Sequence, residues 1–256
     1  MKRIMLTVAY DGTAYHGWQL QKNGISVEEV LNNALSALLG EEIRVHGVSR
    51  TDAGVHAKGN LCIFDTETRI PPEKIAFAVT GSLPEDVSVM ESREVPDGFH
   101  PRKWNSEKTY QYRIVRCVHP DPIRRRYSWF CYYDLDAVRM QRAADYLTGE
   151  HDFTSFCSAD TEAESHIRTI LSLSVEEKEE EILLTVTGNG FLYNMVRIIA
   201  GTLIEVGRGN IRPESIPAIL EARDRNAAGP TAPARGLCLM KIRLIDPPWE
   251  RGEGKN

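Results

Sequence analysis

The sharpest chemical signal in the 256-residue sequence is Arg50-Thr51-Asp52-Ala53-Gly54-Val55-His56-Ala57. Apolar, β-prone residues on either side predict strands over 43–48 and 56–64, which makes the segment a tight connection. Gly54 has ready access to positive φ, so the Asp52 carboxylate is displayed rather than buried. An aspartate with an unperturbed pKa of about 3.9 is ionised at neutral pH. It can attack an electrophile without an activating base. Arg50 could pair with Asp52, depending on the turn. The competing account is structural, because aspartate ahead of glycine is a common turn former. By spacing alone the turn is the stronger account.

Other segments carry chemistry of a less specific kind. Tyr10-Asp11-Gly12-Thr13-Ala14-Tyr15-His16-Gly17-Trp18-Gln19 packs aromatics, glycines and polar groups into one loop. That suits a surface for bases or sugars, or a turn with Trp18 anchored in the core. Phe99-His100-Pro101-Arg102-Lys103-Trp104 precedes Lys108-Thr109-Tyr110-Gln111-Tyr112-Arg113, where alternation puts Tyr110 and Tyr112 on one face. Tyr110 could stack on a base or accept a proton, although in-phase tyrosines are also ordinary core. In Gly188-Asn189-Gly190-Phe191-Leu192-Tyr193-Asn194-Met195-Val196-Arg197, Arg197 is the only charge of an apolar stretch opening a helix. It needs an anionic partner or snorkels to the surface.

No dinucleotide fingerprint and no GxxxxGK[ST] loop occurs, which argues against nucleotide-driven chemistry. The five cysteines (Cys62, Cys117, Cys131, Cys157, Cys238) are scattered without a CxxC, and the seven histidines show no HExxH spacing. No metal and no cofactor is expected. The cysteines read as small buried hydrophobes in a reducing cytosol.

The elements that must position these groups belong to an ordinary globular chain, 42% hydrophobic and 26% charged. At about 150 residues per domain the length allows one large domain or two lobes. No run of about 18 apolar residues exists, since Arg197 and Glu205 interrupt residues 190–206. The apolar start stops at Asp11, short of a secretory signal. The expectation is a soluble, unexported, cytoplasmic protein.

Net charge is −5, unevenly spread: residues 1–100 hold 9 basic and 14 acidic side chains, residues 102–142 hold 10 and 4. Salt screens exposed charges beyond about 8 Å, so a local patch can grip a polyanion. Arg124, Arg125 and Arg126, flanked by Tyr127 and Trp129, suit backbone-plus-base contact. The acidic run Glu176-Glu177-Lys178-Glu179-Glu180-Glu181 reads as a solvated face.

A capping box, Ser26 with Glu29, opens a helix stopping at Gly40. Pro71 and Pro72 start a second helix ending near Gly81, and strands are predicted over 3–10 and 87–95. The order is β-α-β-β-α-β, ferredoxin-like. After Pro96-Asp97-Gly98 the pattern begins again. A strand over 108–115 leads to a helix capped by Asp134 and running through Leu147. A hairpin of 167–175 and 182–186, a helix over 192–206, a shorter helix from Pro213 and a strand over 237–244 complete it. These are two α+β lobes, residues 1–100 and 101–246, with a frayed tail from Pro247 to the end.

YDGTAYHGWQLQ, SRTDAGVHAKGN, FHPRKWNSEKTYQYRI, GNGFLYNMVRIIAGTL and APARGLCL stand in that order between residues 10 and 239. Together they resemble the tRNA pseudouridine synthase A family, and the resemblance covers nearly the whole chain. It implies two ferredoxin-like (RRM-like) lobes whose antiparallel sheets join into a central sheet flanked by helices, the second lobe completing the active-site cleft. It implies an isomerase that breaks the N1–C1′ bond of uridine in tRNA, rotates the uracil and rejoins it through C5. The expected sites are positions 38, 39 and 40 of the anticodon stem-loop, and similar proteins are cofactor-free homodimers. Asp52 matches the catalytic aspartate and Tyr110 the tyrosine that stacks on the target uracil. Arg50 matches the arginine that takes the place of the flipped base, Arg197 a basic partner of the aspartate, and Leu237 an apolar contact to the base.

Ser49 departs from the glycine common in the family. Serine has poorer access to positive φ, so the loop is expected to be held differently. The rival readings are a tRNA-binding module without catalysis, and an Asp-dependent hydrolase that would release free uracil.

Overall fold

The structure is a computed structural model that describes residues 1–159, 163–247 and 249. The tail expected from Pro247 onwards therefore lies, apart from Pro247 and Trp249, outside the described residues. The fold class is α+β, and the chain divides into two compact units. The first holds Met1–Glu107 and the segment beginning at Leu239; the second holds Lys108–Cys238. The first unit thus recruits most of the last strand, whereas a cut between residues 100 and 101 assigns all of it to the second.

In the first unit, β1 (Lys2–Tyr10), α1 (Val27–Leu39), β2 (His46–Gly47), β3 (His56–Thr66), α2 (Ile75–Thr80) and β4 (Val87–Val95) follow the ferredoxin-like order. β1 pairs antiparallel with both β3 and β4, and β3 also carries β2 and β10 (Leu237–Leu244). Ser26 Oγ accepts from Glu29 N at 3.2 Å, and Gly40 ends α1 at φ 69°. β3 is buried on both faces over most of its length, which is why it reads as a nearly unbroken apolar run. One side packs in a core of Met5, Val48, Leu61, Ile63, Val95 and Phe99.

The strand expected over 43–48 shrinks to His46–Gly47. Side chains of α1 take the bonds that a neighbouring strand would have made. Ile43 N donates to Ser36 Oγ at 2.9 Å and Val45 N to Asn32 Oδ1 at 2.8 Å. Ile43 and Val45 stay buried without strand pairing.

In the second unit, β5 (Ser106–Arg116, from Lys108 on) pairs antiparallel with β9 (Glu181–Gly188) and parallel with a short strand, β6 (Trp129–Cys131). β8 (Ile167–Glu177) joins β9 to β7 (Gly149–Asp152). The expected hairpin is present, whereas β6 and β7 were not foreseen, because Gly149-Glu150-His151-Asp152 carries no apolar alternation. α3 (Ala137–Asp145), α4 (Met195–Gly207) and α5 (Ile216–Ala222) complete the unit.

The expected cap Asp134 is not the one used. Asp136 accepts from Arg139 N at 2.9 Å and starts α3. Leu135 then falls just before the cap and is buried with Met140, a hydrophobic staple against Gly207 of α4. Staple and cap together outweigh the earlier aspartate, which is left exposed.

Candidate active site

Asp52 is half-buried between a buried Thr51 and an exposed Ala53, with Arg50 exposed. The polypeptide around it is fixed from several directions within the first unit. Tyr10 OH and Thr51 Oγ1 share a hydrogen bond of 2.7 Å. Asn60 clamps Ser49 twice, donating from Nδ2 to its carbonyl at 2.9 Å and accepting its N–H at 3.3 Å. Thr51 O accepts from Trp18 N at 3.0 Å, Gly54 N donates to Tyr15 O at 3.2 Å, and Val55 N donates to Asp52 O at 3.1 Å. Gly54 has φ 77°, the positive value the turn was expected to need.

The expectation for Ser49 is corrected. Its φ is not positive, so serine fits without backbone strain. Its buried position and the Asn60 clamp hold the loop instead.

The Tyr10–Gln19 segment buttresses this loop, and its tyrosine and tryptophan rings are buried rather than presented as a surface for bases. Tyr10, Tyr15 and Trp18 are all buried, with Trp18 1% exposed and its ring 6.0 Å from that of Tyr10. A Cβ on Gly17 would lie 2.5 Å from Thr51 O, and one on Gly12 would lie 2.0 Å from Val55 O. Only glycine permits these approaches. Tyr15 OH donates to Asp86 Oδ1 at 2.5 Å, and burial followed by that carboxylate pushes its phenol up. Behind the loop, buried His56 has Nδ1 at 3.1 Å from both Gly12 N and Asp11 Oδ1. That nitrogen serves one of them at a time, as acceptor when unprotonated or as donor when protonated.

Tyr110, Arg197 and Leu237 belong to the second unit. Tyr110 and Tyr112 share the buried face of β5, as alternation required. They differ in environment. Tyr112 is 1% exposed, donates to Pro233 O at 2.9 Å, and is pushed up by burial. Tyr110 packs perpendicular to Phe191 at 5.3 Å between centroids, with an interplanar angle of 90°. Leu237 is buried at the start of β10.

Arg197, in the first turn of α4, donates from Nε to Ala232 O at 2.8 Å and from Nη1 to Asn194 Oδ1 at 2.7 Å. Both acceptors are neutral. The strap from residue 229 to 236 that supplies Ala232 is pressed against α4, since a Cβ on Gly201 would lie 1.7 Å from Pro230 O. Asn194 stands at φ 60°, so α4 begins three residues later than the expected Leu192. Its Nδ2 donates to Ser158 Oγ at 2.9 Å. The sequence reading missed Asn194, Asn60 and the Pro230–Ala232 strap. Asparagine just before an apolar helix is the one local hint, because it tolerates left-handed φ.

The charge pattern needs a second correction. The acidic run is exposed from Glu176 to Glu180, as expected, but three of its carboxylates pair with arginines of the basic stretch. Arg124 binds Asp121 Oδ2 at 2.6 Å, Glu180 Oε2 at 2.6 Å and Glu181 Oε1 at 3.3 Å, while Arg116 binds Glu177 at 2.5 Å. These carboxylates raise the Arg124 pKa further. Part of the local basic excess is therefore cancelled, and of the run Arg124–Arg126 only Arg125 and Arg126 are without a carboxylate in ion-pair range among the described residues. No group of His, Cys, Asp and Glu suited to a metal ion, and no helix long and apolar enough to cross a membrane, occurs among the described residues.

Comparison with known proteins gives consistent matches. The family described as tRNA pseudouridine synthase matches residues 6–102 and 143–243. The tRNA pseudouridine synthase A of Ruminiclostridium cellulolyticum is 47% identical over 94% of this chain and 99% of its own length. That of Thermoanaerobacter sp. is 45% identical, and that of Clostridium acetobutylicum 46%, each over the same shares.

Proposed function

We propose, from the premise that this chain belongs to the tRNA pseudouridine synthase family, that Asp52 is the nucleophile of its reaction. The enzyme is an isomerase acting on tRNA. The N1–C1′ bond breaks, the uracil turns, and a C5–C1′ bond forms. C5 loses its proton and N1 gains one, so product and substrate have the same composition. Asp52 attacks either C1′ of the sugar or C6 of the ring. The observation carrying this role is the half-buried aspartate in a connection clamped by Tyr10, Asn60 and Trp18. Such anchoring holds a reacting group in one orientation.

The remaining roles follow the same reading. Extruding a base from a stem costs a few kcal/mol. Arg50 offsets part of it by replacing the base, and stacking on Tyr110 offsets about 1–3 kcal/mol more. The perpendicular contact with Phe191 supports Tyr110 in that role. Arg197 serves as the basic partner of the aspartate, its guanidinium oriented by bonds to Ala232 O and Asn194 Oδ1. Leu237 offers an apolar contact to the base. We assign the target to positions 38, 39 and 40 of the anticodon stem-loop, and the working form to a cytoplasmic homodimer without cofactor.

The test is tritium release from C5-labelled uridine in an unmodified tRNA transcript, for wild type and Asp52→Ala. Release by wild type alone, without free uracil, is the expected result. Free uracil would mean a hydrolase, and tight binding without release a binding module. Carbodiimide derivatisation, which leaves a stable adduct on pseudouridine, followed by primer extension maps the positions, and light scattering checks the dimer.

A further inference from the structure

The 3-10 turn Pro101–Lys103 carries a cation that the reaction above does not use. Arg102 Nε donates to Gly47 O at 2.6 Å, which docks its guanidinium on the end of β2. Among the described residues that carbonyl is its only side-chain hydrogen-bond partner, and no carboxylate lies within ion-pair range. Both Nη groups are left to form a fork. Several other arginines are neutralised: Arg3 by Asp65, Arg93 by Glu91, Arg124 by three acids.

The surroundings of Arg102 are positive. Lys103 is exposed and, among the described residues, in no ion pair. His100 Nδ1 accepts from Arg102 N at 3.3 Å, and its ring lies 6.4 Å from that of His46. Burial and then the like charge of Arg50 lower the Arg102 pKa, with Glu28 opposing. Glu28 is itself bound to Leu20 N at 2.9 Å. Burial, then Arg102, His46, Lys103 and Arg3, lower His100.

Gathering like charges is unfavourable unless an anion joins them. A guanidinium held by Nε, with its outer donors unused, is preorganised for two parallel bonds to phosphate oxygens. We propose that Arg102, assisted by Lys103, is a phosphate-binding site that grips the RNA backbone on the unit carrying the Asp52 loop. The inference rests on the tRNA reading above. Its role is anchorage, common to all sequences, with no part in the chemical step.

Binding of an unmodified tRNA transcript is measured against salt for wild type, Arg102→Gln, Arg102→Lys, Lys103→Gln and Arg124→Gln. Arg102→Gln is expected to lower the slope of log affinity against log salt by about 0.7–0.9 and to weaken binding about tenfold at low salt. Arg102→Lys keeps the slope but loses part of the affinity, because an ammonium replaces the fork. The single-turnover rate at saturating enzyme stays at the wild-type value in both. Arg124→Gln, whose charge is already paired, keeps the wild-type slope. An unchanged slope in Arg102→Gln overturns the proposal. So does an equal drop in Arg124→Gln, which would report net charge, or a loss confined to the single-turnover rate. If Arg102→Gln fails to fold, Lys103→Gln decides by the same slope, since no hydrogen bond or ion pair is lost with it. A wild type that does not bind tRNA would overturn the tRNA reading instead.

Discussion

Asn194 and Arg197 are joined side chain to side chain across the first turn of α4, Asn194 Oδ1 accepting from Arg197 Nη1 at 2.7 Å. Asn194 manages this from φ 60°, a left-handed backbone that also turns its Nδ2 toward Ser158 Oγ. With Ala232 O on Nε, two sides of the guanidinium are fixed by neutral oxygens.

Asn194 is therefore a positioning residue for Arg197. Asn194→Gly keeps a backbone suited to positive φ and removes only the side chain. A hydrogen bond to a charged group contributes about 1.5–3 kcal/mol, so the single-turnover rate should fall at least about tenfold with tRNA affinity unchanged. In an Arg197→Lys background the same substitution should cost nothing further. Additive losses in that double-mutant cycle would show that Asn194 acts on the fold alone.

Acid stability depends on Asp65. Its carboxylate takes two bonds of 2.7 Å from Arg3 across the β1–β3 pair, and this contact, against the opposing effect of burial, lowers its pKa. A lowered folded-state pKa contributes stability above the unfolded value of about 3.9, and that stability is lost as pH falls through the folded-state value. With the Asp65 side chain 34% exposed, Asp65→Asn should cost only about 0.5–1 kcal/mol at pH 7. Urea midpoints of the two proteins should converge below about pH 4. A constant gap at all pH values would contradict the assignment.

Gly201 tests the strap that anchors Arg197. Alanine normally favours a helix interior by about 1 kcal/mol over glycine. Here its Cβ would fall 1.7 Å from Pro230 O, so Gly201→Ala should destabilise by about 3 kcal/mol or more and slow turnover. Gly81→Ala, facing open space at φ −68°, should be neutral or gain up to about 1 kcal/mol. Equal urea midpoints for the two variants would refute the tight packing.

Much of this protein was legible along the chain. The Ser26 cap, the Gly40 stop, the strands over 87–95 and 237–244 and the in-phase tyrosines of β5 follow from rules that act within a few residues. The five motif blocks likewise carried the family, because they are read in one dimension.

Decisions that depend on distant partners were not legible. Whether residues 43–48 pair as a strand turned on Ser36 and Asn32 of a helix. Which aspartate capped α3 turned on whether Leu135 could reach Gly207. The charge runs at 124–126 and 176–181 look like two surfaces until folding sets Arg124 among Asp121, Glu180 and Glu181. Composition alone determines how many charges exist and which groups can react. Only the tertiary structure decides which charges cancel and which, like Arg102, are held ready for an anion, because Coulomb and hydrogen-bond energies depend on separations in space.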